Sequence, residues 1–144
     1  MIQVHGSCVA IDGSGVLLRG PSGRGKSDLA LRLIDGGARL VADDRVDLRV
    51  SGGMLTASSP VPIAGRLEVR GIGILEVPSA ASAPLYLVVD LVEREEVERL
   101  PEPRTTSFLG IDVPLIRLVA LDASAAAKAR LAARMAAAHA EAKA

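Results

Sequence analysis

Short apolar runs, separated by glycine, proline or paired acidic residues, set the pattern of this chain. Ile2 to Val4 and Cys8 to Ile11 read as strands on either side of His5-Gly6. Asp12-Gly13 is a turn into Val16-Leu17-Leu18, an apolar run that suits a buried strand. Arg39 to Ala42 is another such run and ends at Asp43-Asp44. Val46 to Val50 alternates and turns at Gly52-Gly53. Leu67 to Val69 and Ile72 to Val77 bracket Arg70-Gly71, and Pro78 to Pro84 reads as a loop. Leu85 to Val92 is the most apolar run and predicts a central strand. A last strand over residues 113 to 119 carries Pro114, which places it near an edge or a strand start.

The period turns helical elsewhere. Leu29, Ala30, Leu33 and Ile34 recur at helical spacing, and Gly36-Gly37 supplies a stop. Glu93 to Leu100 is a charged helical turn or short helix, broken by Pro101 and Pro103. Asp122 to Ala144 is alanine-rich and helical by propensity, with Leu131 and Met135 four apart on one face. The expected fold class is α/β, strand-rich, with roughly eight short strands. That pattern departs from the regular strand–helix alternation of most nucleotide kinases.

Composition narrows the classes. A chain of 144 residues, 49% apolar, reads as one globular domain over residues 1–144. Basic and acidic residues balance at 17 each, so no strong field points to nucleic acid. Tyr86 and Phe108 are the sole aromatics, too few for a base-stacking platform. A single cysteine, Cys8, excludes an internal disulfide and a cysteine metal cluster. No basic segment precedes an apolar run at the N-terminus, and no apolar stretch is long enough to span a membrane. The expectation is a soluble cytoplasmic protein.

Residues 20 to 27 carry the clearest chemistry: Gly20, Pro21, Ser22, Gly23, Arg24, Gly25, Lys26 and Ser27 form a G-x-x-x-x-G-K-[ST] phosphate loop. The strand before it and the helix after it are the context this motif requires. Its glycines let backbone N–H groups approach phosphate oxygens, and the helix end favours an anion. Lys26 should reach the β- and γ-phosphates, and the Ser27 hydroxyl should ligate Mg²⁺.

Other polar residues fall into a second cluster. Asp43-Asp44 ends the strand after the loop helix, and ligands of open α/β sheets collect at such ends. One carboxylate can hold Mg²⁺ while the other takes a proton from an attacking hydroxyl. The pair also fits a solvated turn. Glu68 and Arg70 share one strand face: Glu68 could complete the Mg²⁺ shell and Arg70 could touch phosphate, or the two could form a surface ion pair. His5 precedes Gly6, although a lone histidine is more often structural than catalytic.

"HG" at 5–6, "GPSGRGKSDLALRLIDGGARLVADD" at 20–44 and "LEVRGIGIL" at 67–75 resemble the catalytic domain of HPr kinase/phosphorylase. The resemblance covers about residues 4 to 77 and continues weakly through "VERLP" at 97–101 and "LGIDVPLIRL" at 109–118. It implies a P-loop kinase fold like that of phosphoenolpyruvate carboxykinase. It implies ATP and Mg²⁺ as cofactors, an HPr-type phosphocarrier as protein partner, and assembly as a hexamer. By motif it makes Lys26 and Ser27 the phosphate and Mg²⁺ residues, Glu68 a second metal ligand, and Asp44 the general base with Asp43 beside it. His5 and Arg99 match a catalytic histidine and arginine. The implied activity is serine phosphorylation of the carrier, with dephosphorylation by inorganic phosphate as its reverse.

Three departures stand beside the resemblance. The expectation is a short form, without the amino-terminal domain of long-form members. Pro78 to Pro84 lacks the usual F-G-A-G-A stretch. "LVALDASAAAKAR" lacks the R-P-G-R-N-type loop and offers Lys128 and Arg130 as stand-ins. These losses leave an alternative of another class, an ATP-binding regulatory module with weakened catalysis. A small-molecule kinase is a further alternative, though Arg94, Arg99 and Arg104 make only a modest lid set.

Overall fold

The computed structural model describes residues 1–60 and 65–143. Ala144, the end of the expected terminal helix, lies outside the described residues. The strands are β1 (Ile2–His5), β2 (Ser7–Ile11), β3 (Ser14–Arg19), β4 (Arg39–Ala42), β5 (Arg45–Ser51), β6 (Met54–Ser58), β7 (Arg66–Val69), β8 (Gly73–Glu76), β9 (Ser82–Leu91), β10 (Arg104–Phe108) and β11 (Ile111–Leu118). The helices are α1 (Lys26–Asp35) and α2 (Ala125–Lys143). The result is the strand-rich α/β fold with a loop helix and a C-terminal helix.

Among the described residues, nine strands form one sheet, in which β1, β5, β6, β9, β3, β2 and β4 lie in that order. Strand β9 also pairs with β11, which pairs in turn with β10, while β7 and β8 form a separate ribbon. β9 is the hub. It runs antiparallel to β6 near Ala83 and parallel to both β3 and β11 farther along.

The apolar runs follow from burial on both faces. Val9, Val16, Leu18, Leu87 and Val89 join Leu29, Leu33 and the alanines of α2 in one core. Cys8, Leu17, Leu48, Leu55 and Val88 form a second core on the other face. Leu85 belongs to the second core and Leu87 to the first, although both have the same parity. The register shift between Gly15 and Val16, which skips Tyr86, accounts for the switch.

Several elements differ from the sequence reading. β6 and β10 were not expected. The charged segment after β9 folds as a single 3-10 turn, Arg94–Glu96, with Glu93 and Glu96 capping each other. The expected loop over Pro78 to Pro84 is shorter, because β9 begins at Ser82. Pro114 falls inside β11 and not at its start: it pairs with Thr105 of β10, just before pairing with β9 begins at Leu115. The inward face of α2 is Ala125, Ala126, Ala129, Ala133 and Ala136, whereas Leu131 and Met135 are 57% and 73% exposed. Methyl groups suffice because α2 lies close against α1 and β9.

Candidate active site

β2 is antiparallel to both β3 and β4, so β3 and β4 are parallel to each other. The C-terminal ends of β3 and β4 and the start of β2 therefore share one end of the sheet. The phosphate loop leaves β3 there, Asp43-Asp44 leaves β4 there, and His5-Gly6 enters β2 there. Strand pairing, not sequence proximity, gathers these residues.

Gly25 caps α1 with φ 89°, and a Cβ on it would lie 2.9 Å from the Ala120 Cβ. Glycine is thus required twice at this position, for conformation and for space. The first helical bond runs from the Leu29 N–H to the Gly25 carbonyl at 2.9 Å. The N–H groups of Lys26, Ser27 and Asp28 consequently lack an intrahelical acceptor and form the positive helix end. Within the loop, the Arg24 N–H donates to the Pro21 carbonyl at 3.2 Å, a turn that includes Ser22 and Gly23. The Lys26 ammonium donates to the Gly20 and Pro21 carbonyls at 2.6 and 3.2 Å. Ser27 is exposed. The Arg24 guanidinium pairs with Glu93, just past β9.

The carboxylates are held separately. Asp43 is half-buried and accepts a hydrogen bond from the Ser7 hydroxyl at 2.9 Å. Asp44 is exposed and has φ 69°, a left-handed conformation that Asp tolerates. Its carbonyl accepts the Gly6 N–H at 3.0 Å. Its Oδ1 lies 3.5 Å from His5 Nδ1, an ion pair whenever the imidazole is protonated. Both aspartates line a cleft of about 220 Å³ together with Glu68.

Glu68 is exposed on β7, whose Leu67 is fully buried, so the strand alternation aims it at the cleft. Arg70 instead falls in the turn after β7. Among the described residues, no three His, Cys, Asp or Glu side chains stand close enough to hold a metal by themselves. The Ser27 hydroxyl and the Asp43 and Glu68 carboxylates are all hard oxygen donors. Such a set fits Mg²⁺, which takes few protein ligands and fills its shell with phosphate and water.

Arg99 is exposed after the 3-10 turn and has no hydrogen bond or ion pair to His5, Asp43, Asp44 or Glu68. Arg130 packs on α1, donating to the Arg32 carbonyl at 3.2 Å, and has a structural part. Ser7, which holds Asp43, and Glu93, which holds Arg24, were not singled out from the sequence. Ser7 directly follows His5-Gly6, but no local signal shows that it faces Asp43.

A family model described as HPr serine kinase C-terminal domain matches residues 1–141. An HPr kinase/phosphorylase of Clostridium botulinum is 46% identical over 116 residues, covering 76% of this chain and 36% of the relative. One of Chlorobium phaeobacteroides is 41% identical over 128 residues, covering 81% and 38%. The chain thus spans well under half the length of these relatives. The solved Hpr(Ser) kinase/phosphatase of Coxiella burnetii superimposes with a TM-score of 0.80 at 31% identity, covering 96% of this chain and 90% of that one.

Proposed function

Because the chain belongs to the HPr serine kinase C-terminal domain family, we propose that it transfers the terminal phosphoryl group of ATP to a serine hydroxyl of an HPr-type phosphocarrier. Transfer from the phosphoserine to inorganic phosphate is the reverse use of the same site. The observation that carries this reading is the convergence of the phosphate loop and the His5–Asp44 pair at one end of one sheet.

The roles follow from chemistry. Backbone N–H groups of residues 20 to 27 and the Lys26 ammonium bind the β- and γ-phosphates. Mg²⁺, when bound through Ser27, Asp43 and Glu68, neutralises phosphate charge. Asp44 accepts the serine proton as Oγ bonds to the γ-phosphorus and the bond to the β,γ-bridging oxygen breaks, releasing ADP. In reverse, a phosphate oxygen attacks the phosphoserine phosphorus, the serine oxygen leaves with the proton from Asp44, and pyrophosphate forms. His5 orients the Asp44 carboxylate, and Ser7 fixes Asp43. Arg99 enters as a cation that meets the transferred group once the carrier is seated. Self-assembly belongs to the same reading, and sedimentation measures it.

The test is direct. The purified chain, Mg²⁺-ATP and an HPr-type carrier are mixed and the carrier mass is followed. A gain of one phosphoryl group, lost in Asp44→Asn while ATP still binds, is the expected result. ATP binding with no transfer to the carrier would favour the regulatory module instead, and full transfer by Asp44→Asn would remove Asp44 as the base.

A further inference from the structure

A second depression, of about 190 Å³, is lined by Arg94, Val97, Leu118, Val119, Asp122 and Lys128. It lies where β9 and β11 end. Arg94 follows Glu93, whose carboxylate holds Arg24 of the phosphate loop. Ala120, which a Cβ on Gly25 would strike, sits between Val119 and Asp122. The lining therefore adjoins the loop at two points. Across the sheet the order is β11, β9, β3, β2, β4. The loop after β3 has the carboxylates over β2 and β4 on one side and this depression over β9 and β11 on the other.

A triphosphate bound along the loop has two ends. Its reacting end must face Asp44, since a proton acceptor has to reach the attacking hydroxyl. Its other end carries the nucleoside, and the strand order leaves that end the depression over β9 and β11. We propose that this depression is the nucleoside subsite, with Arg94 and Asp122 as its specificity-determining residues. The inference rests on the ATP-dependent reading above.

Val97, Leu118 and Val119 offer an apolar wall to a base face. The planar Arg94 guanidinium can stack on the other face. Arg94 and Asp122 already hold each other, at 2.5 Å between Nη2 and Oδ1. Hydrogen bonding and the charge of Arg94 keep the Asp122 carboxyl below its usual range, ready to accept from ribose hydroxyls. Lys128, on the first turn of α2, supplies a cation for the α-phosphate.

Calorimetry of Mg²⁺-ATP against Mg²⁺-tripolyphosphate tests the assignment, because the second ligand lacks a nucleoside. Arg94→Ala removes a stacking plane from an exposed side chain, and Val97→Trp fills the depression. Each should weaken ATP by about tenfold and tripolyphosphate by less than about twofold. Equal weakening of both ligands, or unchanged ATP affinity, would overturn the inference, as would wild-type protein that binds both ligands equally well. Wild-type protein that binds no ATP would overturn the proposed function as well. ATP binding indifferent to the variants would overturn the subsite alone. Where Val97→Trp fails to fold, Asp122→Asn, which should cost ribose hydrogen bonds and spare tripolyphosphate, joins Arg94→Ala in the comparison.

Discussion

Replacing Gly6 by alanine tests how His5 is brought to Asp44. Gly6 has φ 156°, and a Cβ there would lie 2.7 Å from the Leu18 carbonyl oxygen and 3.0 Å from Leu17 Cδ1. The oxygen is backbone and cannot swing away unless β3 moves. Two costs therefore add. The backbone conformation costs a non-glycine residue about 1–3 kcal/mol, and the collision costs about 1–3 kcal/mol, as overpacking does. Gly13 separates them. It has φ 83° with nothing within 4 Å of an added Cβ. Gly13→Ala should therefore cost only the conformational part, about 1–2 kcal/mol. Urea unfolding followed by circular dichroism measures both variants. With a slope of about 1–3 kcal/mol/M, the Gly6→Ala midpoint should fall about 1 M below that of Gly13→Ala. Phosphoryl transfer should fall with it under folded conditions, because the Gly6 N–H to Asp44 carbonyl bond is displaced. Equal midpoints, within about 0.2 M, would refute the claim that β3 closes against Gly6.

Two further predictions concern the cores. On α2, Ala129→Leu should destabilise by about 1–3 kcal/mol by overpacking against α1, whereas Leu131→Gln should change stability by less than about 0.5 kcal/mol. Thermal melts that reverse this order would show that α2 faces the other way. Burial raises the Cys8 thiol from its ordinary 9.0 to about 12. Between those pH values the unfolded state binds fewer protons, so stability should fall as pH rises, by up to ~1.4 kcal/mol per pH unit. Unfolding at pH 8 and pH 10.5 should show a smaller loss for Cys8→Ala than for wild type, and identical losses would sink the argument.

The phosphate loop, α1 and the central position of β9 were legible because each is encoded locally, in a fixed motif or in a run that is apolar on both faces. The face of α2 was not. Residue bulk points to Leu131 and Met135, but the space beside α1 admits little more than methyl groups, so the alanines turn inward. β10, with Arg-Thr-Thr-Ser-Phe, has no apolar alternation and owes its form to pairing with β11 across the turn at Leu109 and Gly110. β6 likewise depends on β5 and β9 on its two sides. In the site, the type and number of the carboxylates could be read. Their handling could not: His5 meets Asp44 because β1 pairs with β5, opposing His5 to Arg45. Arg99 lies in an irregular stretch whose placement no periodicity governs.

The hub position of β9 carries a kinetic consequence. Its partners β3, β6 and β11 lie both before and after it in the chain, and its parallel pairing with β3 joins Leu18 to Val89. Such pairings close long loops before any contact rewards them, so this topology belongs with slow, high-contact-order folders that take milliseconds to seconds. During synthesis the phosphate loop emerges early, yet the strand that anchors its base, and the Ala120 methyl that packs against Gly25, arrive much later. Nucleotide protection of a growing chain should therefore appear in one step, after β11 has cleared the ribosome, and not gradually as the glycine loop becomes exposed.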